Sequence, residues 1–484
     1  MKSIVKIAAL LMLLGALLMS LACSKKQDSP KLEHTLLYFY SETDTSTSFY
    51  ADGKRLDDRI GGAITTLGTV DGLEGFVVAA SALYRIDHEG LIMVYPAAVT
   101  NTVPALNGDK LLFATATMVH IYDNATGELT KLEGIEADSI IDLALSPSGS
   151  AAGITVSHDG RMMSYLYSGG KVSEYGENRC IVAVSDDADI VYYLDADIQQ
   201  ISGVLHHVKN GKDNEITKQA SPYFELNRTL TEITFDIDGK THISRNGGAA
   251  KKLVDSSVLS FAGSQRTNMG GKACTTVLKN TDTMLDGIFY SNVVGEDSSG
   301  NRYDQYDVYF VDSTLSCNPL VLGATQFSAS DDCKTILTVV DNALYKVTAY
   351  NPRSPQLLVN NISMFSCARD LAGPHCLDVY GNVTRLEEGN RNSVILVTGI
   401  DIIKQLENGT VLCYASLESN GTLFALKGDR AVPVATGVNY FEVYGNVVTY
   451  LTNYDTNAHT YDLYISEDGE NYELTEQGVM FEKP

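Results

Sequence analysis

Phe327-Ser328-Ala329-Ser330-Asp331-Asp332-Cys333-Lys334-Thr335-Ile336-Leu337-Thr338-Val339-Val340-Asp341-Asn342-Ala343-Leu344-Tyr345-Lys346-Val347 holds the pattern from which most of this chain is built. A Ser-Asp-Asp turn leads into a β-branched run, Lys334 to Val340, which reads as a strand. Asp341-Asn342 stops that run, and Ala343 to Val347 runs back. Pro352 and Pro355 close the piece before Leu357-Leu358-Val359 begins a further strand. The unit is therefore a short antiparallel meander, with no helical period in it.

Outward from this stretch the same phrases return. Leu83-Tyr84-Arg85-Ile86 is a near copy of Leu344-Tyr345-Lys346-Val347, and each follows an alanine. Asn107-Gly108-Asp109-Lys110, Ser146-Pro147-Ser148-Gly149, Ser185-Asp186-Asp187-Ala188, Asn408-Gly409 and Gly445-Asn446 echo the opening turn. Successive turns fall ~40 residues apart, the period of a four-stranded propeller blade. One blade cannot bury both faces alone, so neighbouring blades must stack. Leu143 to Gly149 and Phe327 to Lys334 resemble the repeat of TolB-like, WD40-like propellers. The resemblance implies an all-β β-propeller of about eleven ~40-residue units. Two arrangements fit. One is a pair of tandem propellers, 34–263 and 264–484, divided within the Gly-, Ser- and Asn-rich stretch Ser256 to Gly271; the other is a single large irregular ring.

Residues 1–22 have the layout of a secretory leader: Lys2 and Lys6, an apolar run from Ile7 to Leu18, then Met19-Ser20-Leu21-Ala22 before Cys23. The run is too short for a confident membrane span. Ala22-Cys23 resembles the lipobox of bacterial lipoproteins, with Ser20 where that family most often has Leu. The resemblance implies lipidation of Cys23, a membrane partner through the N-terminal lipid, and a place on the extracytoplasmic side of the cell envelope. Residues 23–33, polar and containing Lys25, Lys26 and Pro30, read as a tether. The lysines depart from the acidic run that marks surface export in lipoproteins of some gut bacteria.

The 484 residues carry 36 Lys and Arg against 60 Asp and Glu, a formal charge of −24 that loss of the two leader lysines takes to −26. A surface so acidic repels phosphate backbones, which excludes nucleic acid as a natural partner. The chain has no Trp, no G-x-S-x-G elbow, no C-x-x-C and no C-x-x-C-H. It thus carries no motif for a catalytic nucleophile, a haem or a metal, and no catalytic residue, metal site or cofactor is assigned. Beyond Cys23 there are Cys180, Cys274, Cys317, Cys333, Cys367, Cys376 and Cys413. Cys274, Cys376 and Cys413 are expected in equivalent strands as buried thiols. An oxidising compartment leaves room for a disulfide whose pairing the sequence does not assign.

One unit is longer than its neighbours through Gly295 to Asp307, placed before Val308. Tyr303, Asp304, Tyr306 and Asp307 are the candidate ligand-binding residues there, for a sugar or a cation. Calcium-loop spacing is not met, and a solvated hairpin extension is the competing reading. Ser466 to Tyr472 resembles an Asp-box hairpin turn, structural in sialidase-like propellers. Two function classes follow. The first is a non-catalytic, lipid-anchored binding or scaffold module for a protein, peptide or glycan. The second is an envelope glycan hydrolase or lyase with carboxylates in the propeller channel.

Overall fold

The computed structural model describes residues 36–41, 46–51, 53–61, 75–79, 82–87, 90–106, 108–195, 202–255, 259–262, 267–270, 274–296, 302–330, 332–349, 354–367, 370–371, 373–387, 390–417, 420–469 and 472–479. Cys23, the leader and the tether lie outside these residues. Residues 34–484 form one compact unit.

Every regular element among the described residues is a strand. The stretch that opened the sequence reading forms a four-stranded antiparallel sheet: Gln326–Ala329, Thr335–Val340, Ala343–Thr348 and Gln356–Asn360. Its second connection is the Asp341-Asn342 turn, both residues at positive φ (48° and 58°), which joins Val340 to its partner Ala343. That is the two-residue hairpin whose twist matches the strands, and Asp and Asn are among the few side chains that tolerate it. At the first connection Ser330 Oγ donates to Asp332 Oδ1 (2.6 Å), while Lys334 N donates to Asp332 Oδ1 and Thr335 N to Ser330 Oγ. Ser185, Asp187, Asp189 and Ile190 repeat this network atom for atom. These Ser-x-Asp turns therefore open the second strand of a sheet, one strand further in than a unit boundary.

Four-stranded antiparallel sheets of this kind recur at 101–131, 139–177, 179–220 and 362–397, with a three-stranded one at 75–95. Hydrogen bonds between sheets join residues about one repeat apart. Ser148 N donates to Asp186 Oδ1, Tyr192 OH to Leu230 O, and Phe365 N to Gln326 Oε1, while Asn408 N donates to Asn446 Oδ1 at the same interval within a single ten-stranded sheet. Between successive sheets lie apolar clusters, such as Val103, Leu112, Leu143, Ile154 and Val156, or Leu337, Leu344, Ile362, Phe365 and Cys376. Burying each such face is the main favourable term holding the sheets together, at about 25 cal/mol per Å² of apolar surface.

Two sheets depart from the pattern. Thr275–Lys279 lies parallel to Tyr223–Asn227 and adds itself, with Thr267–Gly270, to the 223–252 sheet. Ser260–Phe261, earlier in the chain, pairs instead with Gly287–Glu296 in the next sheet. Strands on either side of residues 263–266 are thus interleaved. Thr275–Lys279, which belongs with 264–484 by sequence, is hydrogen-bonded to a strand of 34–263. Cys376 and Cys413 do occupy equivalent second strands, His375–Asp378 and Val411–Leu417. Cys274 does not, because it leads into the inserted strand.

The second departure brings together strands from the two ends of the described residues. Glu473–Val479 pairs with Thr460–Ser466 on one side and meets Leu36–Ser41 on the other, through Ser41 and Val479. Buried Glu476 accepts hydrogen bonds from Tyr50 OH (2.7 Å) and Ser48 Oγ (3.1 Å), and Arg55 and Arg59 lie 3.6 and 3.3 Å from its Oε1. Burial and the Glu476 charge push the Tyr50 phenol far up, so it stays a donor at any physiological pH. Both arginines are about one-third exposed, and solvent screens their share. Glu476→Ala should therefore cost about 2–3 kcal/mol, chiefly from stranding Tyr50 and Ser48 in the interior, and Arg55→Ala under about 1 kcal/mol. Urea unfolding of the two variants measures the difference.

Candidate functional site

The long unit is a hairpin, Gly287–Glu296 with Arg302–Val311, paired without a slip from Gly287 and Val311 out to Glu296 and Arg302. Its third strand, Cys317–Ala324, reaches only as far as Tyr306, which pairs with Ala324. Residues 302–305 and their partners 293–296 consequently stand beyond the sheet as a two-stranded ribbon. Such a ribbon lacks the third strand that normally stabilises a hairpin.

The four residues singled out from the sequence divide between the two faces of this hairpin, since neighbours along a strand alternate. Tyr303 and Asp307 share one face with Gln305. Gln305 Nε2 donates to Tyr303 OH (3.3 Å) and to Gly323 O (3.2 Å), and Asp307 accepts from Gly323 N (2.8 Å). Tyr303 also lies over Gly295, where an added Cβ would come within 2.9 Å of its ring and 2.6 Å of Gln305. The ring thus covers a glycine that has no side chain of its own. Asp304 and Tyr306 are on the other face. Tyr306 packs edge-on to Phe327 (5.3 Å) and near Tyr290 (6.1 Å), contributing to the apolar layer against the 326–360 sheet. The structure does not bring the four together. What the ribbon does present is exposed apolar surface: Val294 at 68% and Tyr303 at 40%.

A second constellation lies inside the body, where three buried carboxylates receive donors from the chain between 261 and 284. Asp142, on Ser139–Leu145, accepts from Leu143 N through Oδ1 and from Cys274 N through Oδ2, both at 2.8 Å. Glu225 accepts from Tyr223 OH and Phe261 N (2.9 Å each), with Lys279 Nζ 3.6 Å away. Glu232 accepts from Thr283 Oγ1 (2.8 Å) and Met284 N (2.6 Å). At the same place Arg228 Nε meets Asp282 Oδ1 at 2.6 Å, which holds the Asp282 carboxyl below its ordinary range and raises the guanidinium.

Beside Asp142 stand Cys180, on Arg179–Val184, and Cys274. Their Sγ atoms are 3.4 Å apart, and the Cys180 thiol points at Asp142 Oδ2 (3.6 Å). The contact with Cys274, burial and the Asp142 charge all push the Cys180 thiol well up. A cavity of about 20 Å³ nearby, room for roughly one water, is lined by Val103, Leu143, Val182, Leu230 and Leu278 among others. Sequence reasoning did not find this triad. Its members are 38 and 94 residues apart, with no motif spacing. His206 and His207 point apart as alternation requires: His206 stacks on Tyr193 and bonds Asp213, while His207 is buried. In the turn that resembles an Asp-box, Ser466 Oγ donates to Asp468 Oδ1 (3.0 Å) and accepts from Gly469 N (2.9 Å).

No protein-family model matches the chain, and no curated protein is similar to it. Similar solved structures include a eukaryotic initiation factor, at 12% identity and a TM-score of 0.42, covering 93% of this chain and 98% of that one. A protein described as TolB, from Agrobacterium tumefaciens, gives 14% identity and a TM-score of 0.29 over 48% of this chain and 84% of that one. The β-propeller domain of the trilobed protease from Pyrococcus furiosus gives 14% and 0.28, over 70% and 98%. The all-β assignment stands on the strand pairing above.

The Lys279–Glu225 pair generates a direct test. Both side chains are almost fully buried, so removing one partner leaves the other charge stranded. Lys279→Ala should lower stability by about 3 kcal/mol, and Lys279→Met with Glu225→Gln by clearly less than the sum of the single changes. Denaturant unfolding of the wild type, Lys279→Ala, the two single changes of the pair and their double measures this coupling.

Proposed function

We propose that the protein is a lipid-anchored, extracytoplasmic β-propeller serving as a non-catalytic binding or scaffold module, with the ribbon tip of the 287–311 hairpin as its docking element for a protein or peptide. The observation that carries this reading is the ribbon itself: two paired strands extended past their sheet, bearing Val294 and Tyr303 in solvent. Exposed apolar side chains on a projecting ribbon gain by being covered, and the ribbon's outer edges offer backbone groups for an added strand. The meeting of the first and last described strands in one sheet supports blades arranged in a ring, and the leader ending at Ala22, directly before Cys23, supports the anchor. The glycan-active alternative asks for a carboxyl held protonated. Among the described residues the carboxyls displaced from their ordinary range include Asp187, Asp332, Asp378 and Glu442, each displaced downward, by the Ser185 hydroxyl, the Ser330 hydroxyl, the Asn382 amide and Lys404 respectively.

A photo-cross-linking residue at Val294 should give a discrete protein adduct in intact cells, whereas one at Tyr380, an exposed aromatic far along the chain from the ribbon, should not. Equal labelling at both positions would remove the ribbon from the argument. For the anchor, Cys23→Ala should move the protein from the membrane fraction to the soluble fraction. A variant still held in the membrane would refute lipidation at Cys23.

A further inference from the structure

We propose that Cys180 and Cys274 form a disulfide in the mature protein, a covalent bolt that fixes the inserted segment against the 179–220 sheet. The two sulfurs are already in contact at 3.4 Å, and each thiol sits in a buried position. Closing the bond requires only a small approach of two side chains whose backbones are independently held. Cys180 belongs to a paired strand, and Cys274 N is fixed on Asp142 Oδ2. A metal is the competing use of the same atoms, because Asp142, Cys180 and Cys274 together could ligate one. A buried structural zinc is closed by four protein ligands, however, and the cluster among the described residues supplies three. Asp142 already receives two backbone N–H groups, so its oxygens have a role that needs no ion.

The chemistry balances as thiol–disulfide exchange. The two Sγ–H groups give up two protons and two electrons as the Sγ–Sγ bond forms. The acceptor is the disulfide of a thiol oxidoreductase, whose S–S bond breaks to a dithiol. Exchange runs through a thiolate and a mixed disulfide, which the folded interior disfavours, since both sulfurs are out of solvent and the Cys180 thiol is held protonated. The bond is therefore made while the chain is still open, and is protected once the fold closes over it. It locks a loop of about 95 residues, long enough for a large effect on the unfolded chain.

The inference rests on the extracytoplasmic reading, and one measurement separates the two. The full chain is taken from its own membranes under acid, alkylated with N-ethylmaleimide in denaturant, and digested with and without prior reduction; the same digest reports the lipid on Cys23. The expected result is a Cys180–Cys274 linked peptide, two hydrogens lighter than its parts, with neither residue alkylated until reductant is added. If both residues are alkylated without reduction, or either is linked to another cysteine, the proposal fails, whether or not Cys23 carries lipid. Lipid on Cys23 beside two free thiols would leave the anchoring intact and overturn the bond alone. One equivalent of zinc with thiols that become reactive only after chelation would overturn it in favour of a metal. A second readout uses variants. Reduction in denaturant followed by refolding under reductant should lower the melting temperature of the native sequence by roughly 5 °C and leave Cys180→Ser and Cys274→Ser, treated alike, unmoved. Equal shifts in all three would be a loss for the proposal.

Discussion

Buried carboxylates that take up backbone N–H groups are the interaction on which the rest of this structure depends. Phe261, Cys274 and Met284 each donate to a carboxylate on a different strand of the body, Glu225, Asp142 and Glu232. Water could satisfy these groups only at the surface, and leaving one such group unmet in the interior costs about 1–3 kcal/mol. A charged acceptor makes the bond roughly twice as strong as a neutral one, and two or three donors per carboxylate offset the cost of burying its charge. In this way a strand that belongs to no repeat is accommodated among strands that do, and the neighbouring sheets keep their apolar contacts around it.

The repeating part of the fold was legible because its information is local. A Ser-x-Asp turn contains its own donors and acceptors within five residues, and Asp341-Asn342 announces a two-residue hairpin by composition alone. The inserted strand was not legible, since its partner Tyr223–Asn227 lies some 50 residues away and pairs in parallel, which no turn chemistry encodes. The same holds for the Asp142, Cys180 and Cys274 triad. At the candidate ligand site the sequence marked the right unit, longer than its neighbours, but grouped Tyr303 with Tyr306 by nearness along the chain. Strand alternation places them on opposite faces, one over Gly295 and the other against Phe327. Val294, a more exposed residue than either, carried no signal, because a β-branched residue reads as strand core until its missing third strand is seen.

Contacts between sheets, too, follow the repeat. Residues about 38 positions apart, such as Ser148 with Asp186 and Tyr192 with Leu230, are bonded side by side, so the period visible in the sequence is also the distance over which neighbouring sheets contact each other. Substitutions in these turns thus act on two units at once, unlike changes at exposed positions within one strand.

The pairing of Leu36–Ser41 with Glu473–Val479 has a consequence for biosynthesis. Ser48 and Glu476 are separated by 428 residues, so the strands around Ser48 leave the ribosome long before the strand that meets their buried polar groups. Contacts of such long range are slow to form, and until they do the opening strands present an unpaired edge. A chain that stops before residue 473 would leave Tyr50 without the carboxylate it donates to, and would mark itself as incomplete to whatever proteases patrol its compartment.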